Sequence, residues 1–207
     1  MNNSSSVVII DYGSGNLRSV AKAFERTNAK VTVSSDVSLL ESASHIVLPG
    51  VGAFGDCMAG LSAIPDMLSV LNEQVRARGK WFLGICVGMQ MLFDNGYENG
   101  IHKGLSWISG EVVPIKSMGL KIPQMGWNEL KIMQDSPILK SVSSGEHAYF
   151  VHSYHAKLVD NLQLLAVTEY GENITAVVGK DNIFGTQFHP EKSQRTGLKI
   201  IENFIKL

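Results

Sequence analysis

The sequence predicts an α/β fold: a single three-layer domain whose central sheet, mostly parallel and in part mixed, is flanked by helices. Three observations predict it. Val7-Val8-Ile9-Ile10, His45-Ile46-Val47-Leu48 and Trp81-Phe82-Leu83 are short, continuously apolar runs of the kind found in strands covered on both faces. Each leads into a glycine-rich turn, and segments with apolar residues at helical spacing lie between them. From Leu105 to Val178 the pattern changes to strand-like runs divided by turn residues, so that half is expected to add antiparallel or mixed strands.

The bulk properties agree with one domain. A chain of 207 residues is long enough to bury roughly 70% of the surface its unfolded form exposes. Lys plus Arg is 18 and Asp plus Glu is 19, a net charge of -1 that gives no global attraction to nucleic acid or an anionic membrane. Any partner must be recognised locally. Two cysteines, Cys57 and Cys86, are too few for a disulfide framework and fit a reducing cytoplasm. Residues 1–6 are polar, resemble no secretory signal and are expected to be a disordered extension before a domain at 7–207. No run approaches the roughly 18 apolar residues of a membrane helix, so a soluble protein is expected.

Val7 to Ile10 is expected to be a central strand. Asp11 to Asn16 is then a turn, and Leu17, Val20, Ala21 and Phe24 fall on one helical face. The Gly13-Ser14-Gly15 pair does not make a dinucleotide fingerprint, because Arg18 stands where the third glycine belongs. Lys30–Ser34 and His45–Leu48 read as the next strands. Pro49-Gly50-Val51-Gly52-Ala53-Phe54 follows the latter at the carboxyl edge of a parallel sheet, where ligands bind. The backbone N–H groups of Val51 and Gly52 are candidates to face a developing oxyanion; the alternative is an ordinary tight turn. Ile64–Arg78 reads as a helix with Pro65 in its first turn, Leu68, Leu71 and Val75 on one face, and Gly79 past its end.

Trp81-Phe82-Leu83 runs into Gly84-Ile85-Cys86-Val87-Gly88-Met89-Gln90 and then Met91-Leu92-Phe93, which reads as strand, tight turn and helix with Cys86 at the turn. A lone cysteine is more often a buried small hydrophobe. Glycines two positions away on both sides change that reading, because they let the chain pass close to itself where a Cβ would clash. Cys86 just before a helix would also have its thiolate favoured by the N–H groups of the first turn. Cys86 is therefore the candidate nucleophile.

Ile183–Phe188 reads as a strand ending in His189-Pro190-Glu191. Residues two apart on an extended chain share a side, so His189 and Glu191 are a candidate base and its orienter. In the last segment, Ser193–Leu207, a helix is expected to seal the sheet with Leu198, Ile201 and Ile205. A nucleophile, a base that becomes the acid, and oxyanion donors are what amide hydrolysis needs, with no cofactor. Zinc is the competing use of Cys, His and Glu, but no ligand cluster of zinc spacing is present. His152 and His155 form no metal pair and are expected to border a pocket.

The elbow Gly84–Gln90 together with Gln187-Phe188-His189-Pro190-Glu191 resembles the class I (triad) glutamine amidotransferases, which release ammonia from glutamine through a thioester. Within that family, Ile10–Leu17, Leu48–Phe54 and Pro123-Gln124-Met125-Gly126-Trp127-Asn128 are similar to the glutaminase subunits of imidazole glycerol phosphate synthases. The resemblance runs from about Val7 to Leu207. It implies a Cys86–His189–Glu191 triad, an oxyanion loop at Val51 and Gly52, and glutamine contacts from Gln90, His152, Ser153 and Tyr154. Gln90 also lies one helical turn beyond Cys86, which independently puts it near the sulfur.

The resemblance further implies a separate cyclase partner of (β/α)8-barrel fold in histidine biosynthesis, ammonia passed through that barrel, and glutaminase activity that stays low without the partner. Asn16, Trp127 and Lys192 are the implied interface, against which Lys192 reads as a solvated charge and Trp127 as a core residue. Val87 and the polar residues 1–6 depart from the commonest form of the subunit. Paralogues feeding ammonia to another acceptor share these motifs. A non-catalytic module or a peroxide-sensing thiol leaves His189, Glu191 and Gln90 unexplained.

Overall fold

In the computed structural model, which describes residues 5–207, the chain begins β1 (Ser6–Ile10), α1 (Leu17–Glu25), β2 (Lys30–Ser34), α2 (Ser38–Ser42), β3 (His45–Gly50) and α3 (Phe54–Ala63). It continues with α4 (Met67–Leu71), β4 (Trp81–Cys86) and the one-turn helix α5 (Val87–Gln90). The second half supplies β5 (Asn95–Gly96), β6 (His102–Lys103), β7 (Gly110–Pro114), β8 (Gln124–Glu129), β9 (Lys131–Ile132) and β10 (His147–His152). It closes with β11 (Tyr154–Leu158), β12 (Leu164–Tyr170), β13 (Glu172–Lys180), β14 (Ile183–Thr186) and α6 (Gln194–Ile205).

The main sheet has eight strands in the order β2-β1-β3-β4-β14-β13-β12-β9. From β2 to β14 every pairing is parallel, and from β14 onward every pairing is antiparallel. The change at β14 is the mixed sheet expected from the composition shift after Leu105. The sheet grows in one direction through α1 and in the other through α3 and α4. Right-handed crossovers running in opposite directions place their helices on opposite faces, which makes the third layer. On one face α1 meets α6 through an edge-to-face contact of Phe24 and Phe204, centroids 6.3 Å apart. On the other, α3 packs against α4 and α5. Ile9, Ile46, Leu83 and Val177, all fully buried, show why the continuous apolar runs were needed.

Several local expectations change. Residues 1–4 of the anticipated extension lie outside the described residues, while Ser6 opens β1 and Ser5 donates its hydroxyl to the Ile205 carbonyl at 3.2 Å. The helix expected over 64–78 begins only at Met67: Pro65 disfavours helical backbone at Ile64, and Asp66 sits at φ 61°. Its last six residues, Asn72–Ala77, wind wider, with a π-type bond from Arg78 N–H to the Glu73 carbonyl at 2.9 Å. The helix α3 was missed, because Gly55, Gly60 and Ser62 dilute its pattern. In α6 the buried stripe is Gly197, Ile200, Ile201 and Phe204, while Leu198 and Ile205 flank it. Outside the main sheet, β8 pairs with β10, and β5, β6, β7 and β11 form a second small sheet.

Candidate active site

The sheet register brings the candidate residues together. Gly50 at the end of β3 is opposite Cys86 at the end of β4, and Thr186 at the end of β14 is opposite Ile85. The next residue after each end therefore emerges beside the sulfur: Val51 on one side, Gln187 on the other.

Cys86 takes φ 56° and ψ -113°, a conformation that non-glycine residues avoid and that persists only when the surroundings impose it. Backbone imposes it here. A Cβ on Gly84 would lie 2.5 Å from the Gly88 carbonyl oxygen, one on Gly50 would lie 2.7 Å from the Gly88 amide nitrogen, and one on Gly88 would run into the Leu48 carbonyl. The close approach expected from the spaced glycines is therefore real, and it includes Gly50 from the neighbouring strand. The helix that follows is only four residues long, so its dipole is small and the groups that act on the sulfur are side chains.

His189 and Glu191 are joined, but not along an extended strand. Pro190–Lys192 is a turn of 3-10 helix, and it brings Glu191 Oε1 to 2.9 Å from His189 Nδ1, both side chains being buried. With Nδ1–H donated to the carboxylate, Nε2 is the ring nitrogen left for Cys86. Burial pulls the His189 pKa down, but the hydrogen bonds and charges of Cys86 and Glu191 together pull it further up, to about 9. At neutral pH the imidazole is protonated.

A cavity of about 480 Å³ is lined by Cys86, His189, Val51, Gly52, Gln90, His152, Ser153 and Tyr154, which are all the predicted catalytic and substrate-contact residues except Glu191, held behind His189. His155 does not reach it; its ring is buried 3.6 Å from Glu172. His152 donates Nδ1–H to the Tyr154 carbonyl at 2.8 Å, and burial holds its pKa near 4, so its Nε2 is a neutral acceptor. Gln90 is turned inward: its Nε2 donates to the Tyr154 carbonyl and to Gln187 Oε1, each at 3.0 Å.

Val51 N–H faces Ser14 Oγ at 3.4 Å, while the Val51 carbonyl accepts from the Ser14 hydroxyl and from the Cys57 thiol. The oxyanion donor expected at Val51 is thus engaged with Ser14 in this structure. Sequence reasoning missed Glu98, which lines the cavity and accepts the Phe54 N–H at 2.8 Å. A single glutamate inside a Tyr-Glu-Asn-Gly turn carries no periodic signal. Of the implied interface residues, Trp127 and Lys192 converge on Tyr149, the indole edge-on at 5.9 Å and Lys192 Nζ 5.9 Å from the ring centroid. Trp127 is 45% exposed, so it is not a core residue, and Asn16 is the residue that precedes α1. Among the described residues no group of three or more His, Cys, Asp or Glu is placed to hold a metal, and no single helix is long and apolar enough to cross a membrane.

The profile of the family described as "Glutamine amidotransferase class-I" matches residues 8–207. The chain belongs to that family. The amidotransferase is 50% identical over 212 residues to "Imidazole glycerol phosphate synthase subunit HisH" of Brucella suis biovar 1, with 97% of this chain and 98% of the relative covered. It is likewise 50% identical over 209 residues to the protein of the same name from Rhodospirillum rubrum, with the same coverage. In fold the amidotransferase is similar to the solved structure of PurLQS from Thermotoga maritima, with TM-score 0.73, 19% identity and 98% of each chain covered. The expectations of a class I glutamine amidotransferase and of a mixed, helix-flanked sheet both hold.

Proposed function

We propose that this amidotransferase is the glutaminase subunit of an imidazole glycerol phosphate synthase, hydrolysing glutamine and handing ammonia to a separate cyclase subunit of (β/α)8-barrel fold in histidine biosynthesis. The observation that carries the reading is the Cys86–His189–Glu191 set, buried at the carboxyl ends of β4 and β14. Half-identity over nearly the full length to subunits bearing that name supports the acceptor.

The chemistry follows from the geometry. The Cys86 thiolate attacks the side-chain amide carbon of glutamine, and the carbonyl oxygen takes up the negative charge opposite the Val51–Gly52 loop. His189, protonated at neutral pH, gives its proton to the amide nitrogen as the C–N bond breaks. Ammonia leaves and a γ-glutamyl thioester remains. The neutral imidazole then takes a proton from water as the water oxygen attacks the thioester; the C–S bond breaks, glutamate leaves and the thiolate returns. Glu191 keeps Nδ1 protonated and Nε2 aimed at the sulfur throughout. The Glu98 carboxylate, on the cavity wall, is suited to the α-ammonium of the substrate.

Ammonia released into water is mostly protonated and no longer nucleophilic, which is the reason to pair this chain with its acceptor by a dry route. We place that docking face at the rim formed by Asn16, Trp127 and Lys192, and the pair in the cytoplasm. The isolated chain is expected to hydrolyse glutamine poorly, an expectation supported by the engagement of Val51 N–H with Ser14. The test is Cys86→Ala in complex with the copurified cyclase. Glutamine-dependent turnover is expected to vanish while turnover on added ammonium persists; loss of both would refute the assignment, and copurification of another acceptor would reassign the pathway.

A further inference from the structure

A hydrogen-bond chain behind the cavity fixes one more group against the reacting sulfur. The Tyr154 carbonyl can only accept, so the Gln90 side-chain atom 3.0 Å from it is the amide nitrogen. That nitrogen can only donate, so the Gln187 atom 3.0 Å from it is the amide oxygen. The Gln187 NH₂ is then left facing Cys86 Sγ, at 3.7 Å. Each amide orientation follows from the one before, starting from a backbone carbonyl that cannot reverse its role. Gln187 and Gln90 are both almost wholly buried, so bulk water does not compete for these groups. Gln187 follows Thr186, the last residue of β14, and its backbone N–H donates to the Ala176 carbonyl at 2.9 Å. Between Gln187 and His189, Phe188 is fully buried against Phe150.

We propose that Gln187 is a further catalytic residue whose side-chain N–H stabilises the Cys86 thiolate, and that Gln90 acts through it as a positioning residue, fixing the amide with its donor end toward sulfur. The inference deepens the glutaminase reading and rests on Cys86 being the nucleophile. A neutral donor buried beside sulfur favours the anion over the thiol without changing the charge of the site. It complements His189, which supplies the counter-charge. An inward Gln90 also means that its amide nitrogen is committed to the protein, so any contact it makes with glutamine comes through its remaining atoms.

The experiment is the pH dependence of alkylation of Cys86 by iodoacetamide in the full-length chain, followed on the peptide that carries Cys86 so that Cys57 does not interfere. Gln187→Leu removes the donor, and the alkylation midpoint is expected to rise by about one pH unit, a tenfold loss of reactivity at pH values below both midpoints. Gln187→Glu, nearly isosteric, keeps the acceptor for Gln90 but replaces the donor by an acceptor, and is expected to raise the midpoint further. Gln90→Leu is expected to give a smaller shift in the same direction, since it frees the amide to turn. A merely structural amide would alter thermal stability but leave the midpoint in place. Midpoints within about 0.2 units of the wild type in Gln187→Leu and Gln187→Glu, with unchanged circular dichroism, would overturn the proposal. Alkylation needs no glutamine, so that result would leave the glutaminase reading standing, whereas a failed Cys86→Ala test would strike the reading itself.

Discussion

The two turns that meet at the cavity are built on different principles. The elbow at Cys86 is fixed by backbone packed on backbone: Gly50, Gly84 and Gly88 all lie where an added Cβ would meet main-chain atoms. The loop after β3 is held by side chains. Gly52 has open space around it, Val51 is 41% exposed, and the loop is tied by one hydroxyl and one thiol. The proposed nucleophile is thus held in a strained pose by backbone, whereas the proposed oxyanion donors are held by one or two hydrogen bonds. The contrast places rigidity on the sulfur and adjustability on the donors.

The sharpest way to break the comparison is to insert the same methyl group in both turns. Gly88→Ala drives a Cβ into the Leu48 carbonyl, and a loss of about 4 kcal/mol or outright failure to fold is expected in urea denaturation. Gly52→Ala meets nothing within 4 Å and bears only the strain of φ 101°, so about 1–2 kcal/mol is expected. Equal losses would mean that the loop is as tightly determined as the elbow. Next in size is Glu191→Gln, which keeps the shape but removes the charge that holds His189 in its tautomer. Glutamine turnover in the complex is expected to fall by on the order of 10² to 10⁴, and a drop below threefold would exclude Glu191 from that role.

On the adjustable side, Ser14→Ala removes the partner of Val51 N–H. One hydrogen bond is worth about 1 kcal/mol, so basal glutamine hydrolysis by the isolated chain is expected to rise about fivefold. Unchanged or lower basal turnover would show that Ser14 does not restrain the donor.

The smallest effects are in pH. The folded pKa of His189 is raised to about 9, so its stabilisation is full below the unfolded value near 6.5 and is lost as pH rises through 9. Burial depresses His152 and His155 to about 4, so the unfolded chain binds more protons between roughly 6.5 and 4 and stability falls as pH drops through that window. The melting temperature is expected to peak between the two limbs. In Cys86→Ala the alkaline limb is expected to flatten, because Cys86 is among the groups that raise His189; an unaltered limb would detach the sulfur from the imidazole.

Much of this was legible in the chain because it is local. Continuous apolar runs gave β1, β3 and β4, and a cysteine between spaced glycines gave the elbow, since both depend on what a residue's immediate neighbours permit. The Cys86–His189–Glu191 set was readable only through chemical type, and its path was misjudged: Pro190 starts a 3-10 turn where an extended strand was expected. Glu98, Ser14 and Cys57 carried no signal, because their roles come from groups 44, 37 and 6 residues away in the chain.

By itself, the sequence determined the parallel strands β1, β3 and β4, the spaced glycines on either side of Cys86, and the candidate acid, base and nucleophile by chemical type. Tertiary structure alone decided which way the buried amides of Gln90 and Gln187 point, that Val51 turns its N–H to Ser14, and that Tyr149 gathers Trp127 and Lys192. The physical reason is directional. A hydrogen bond's polarity is set by the partner it finds, and partners are assigned by the register of β3, β4 and β14, a property of the assembled sheet and of no single segment.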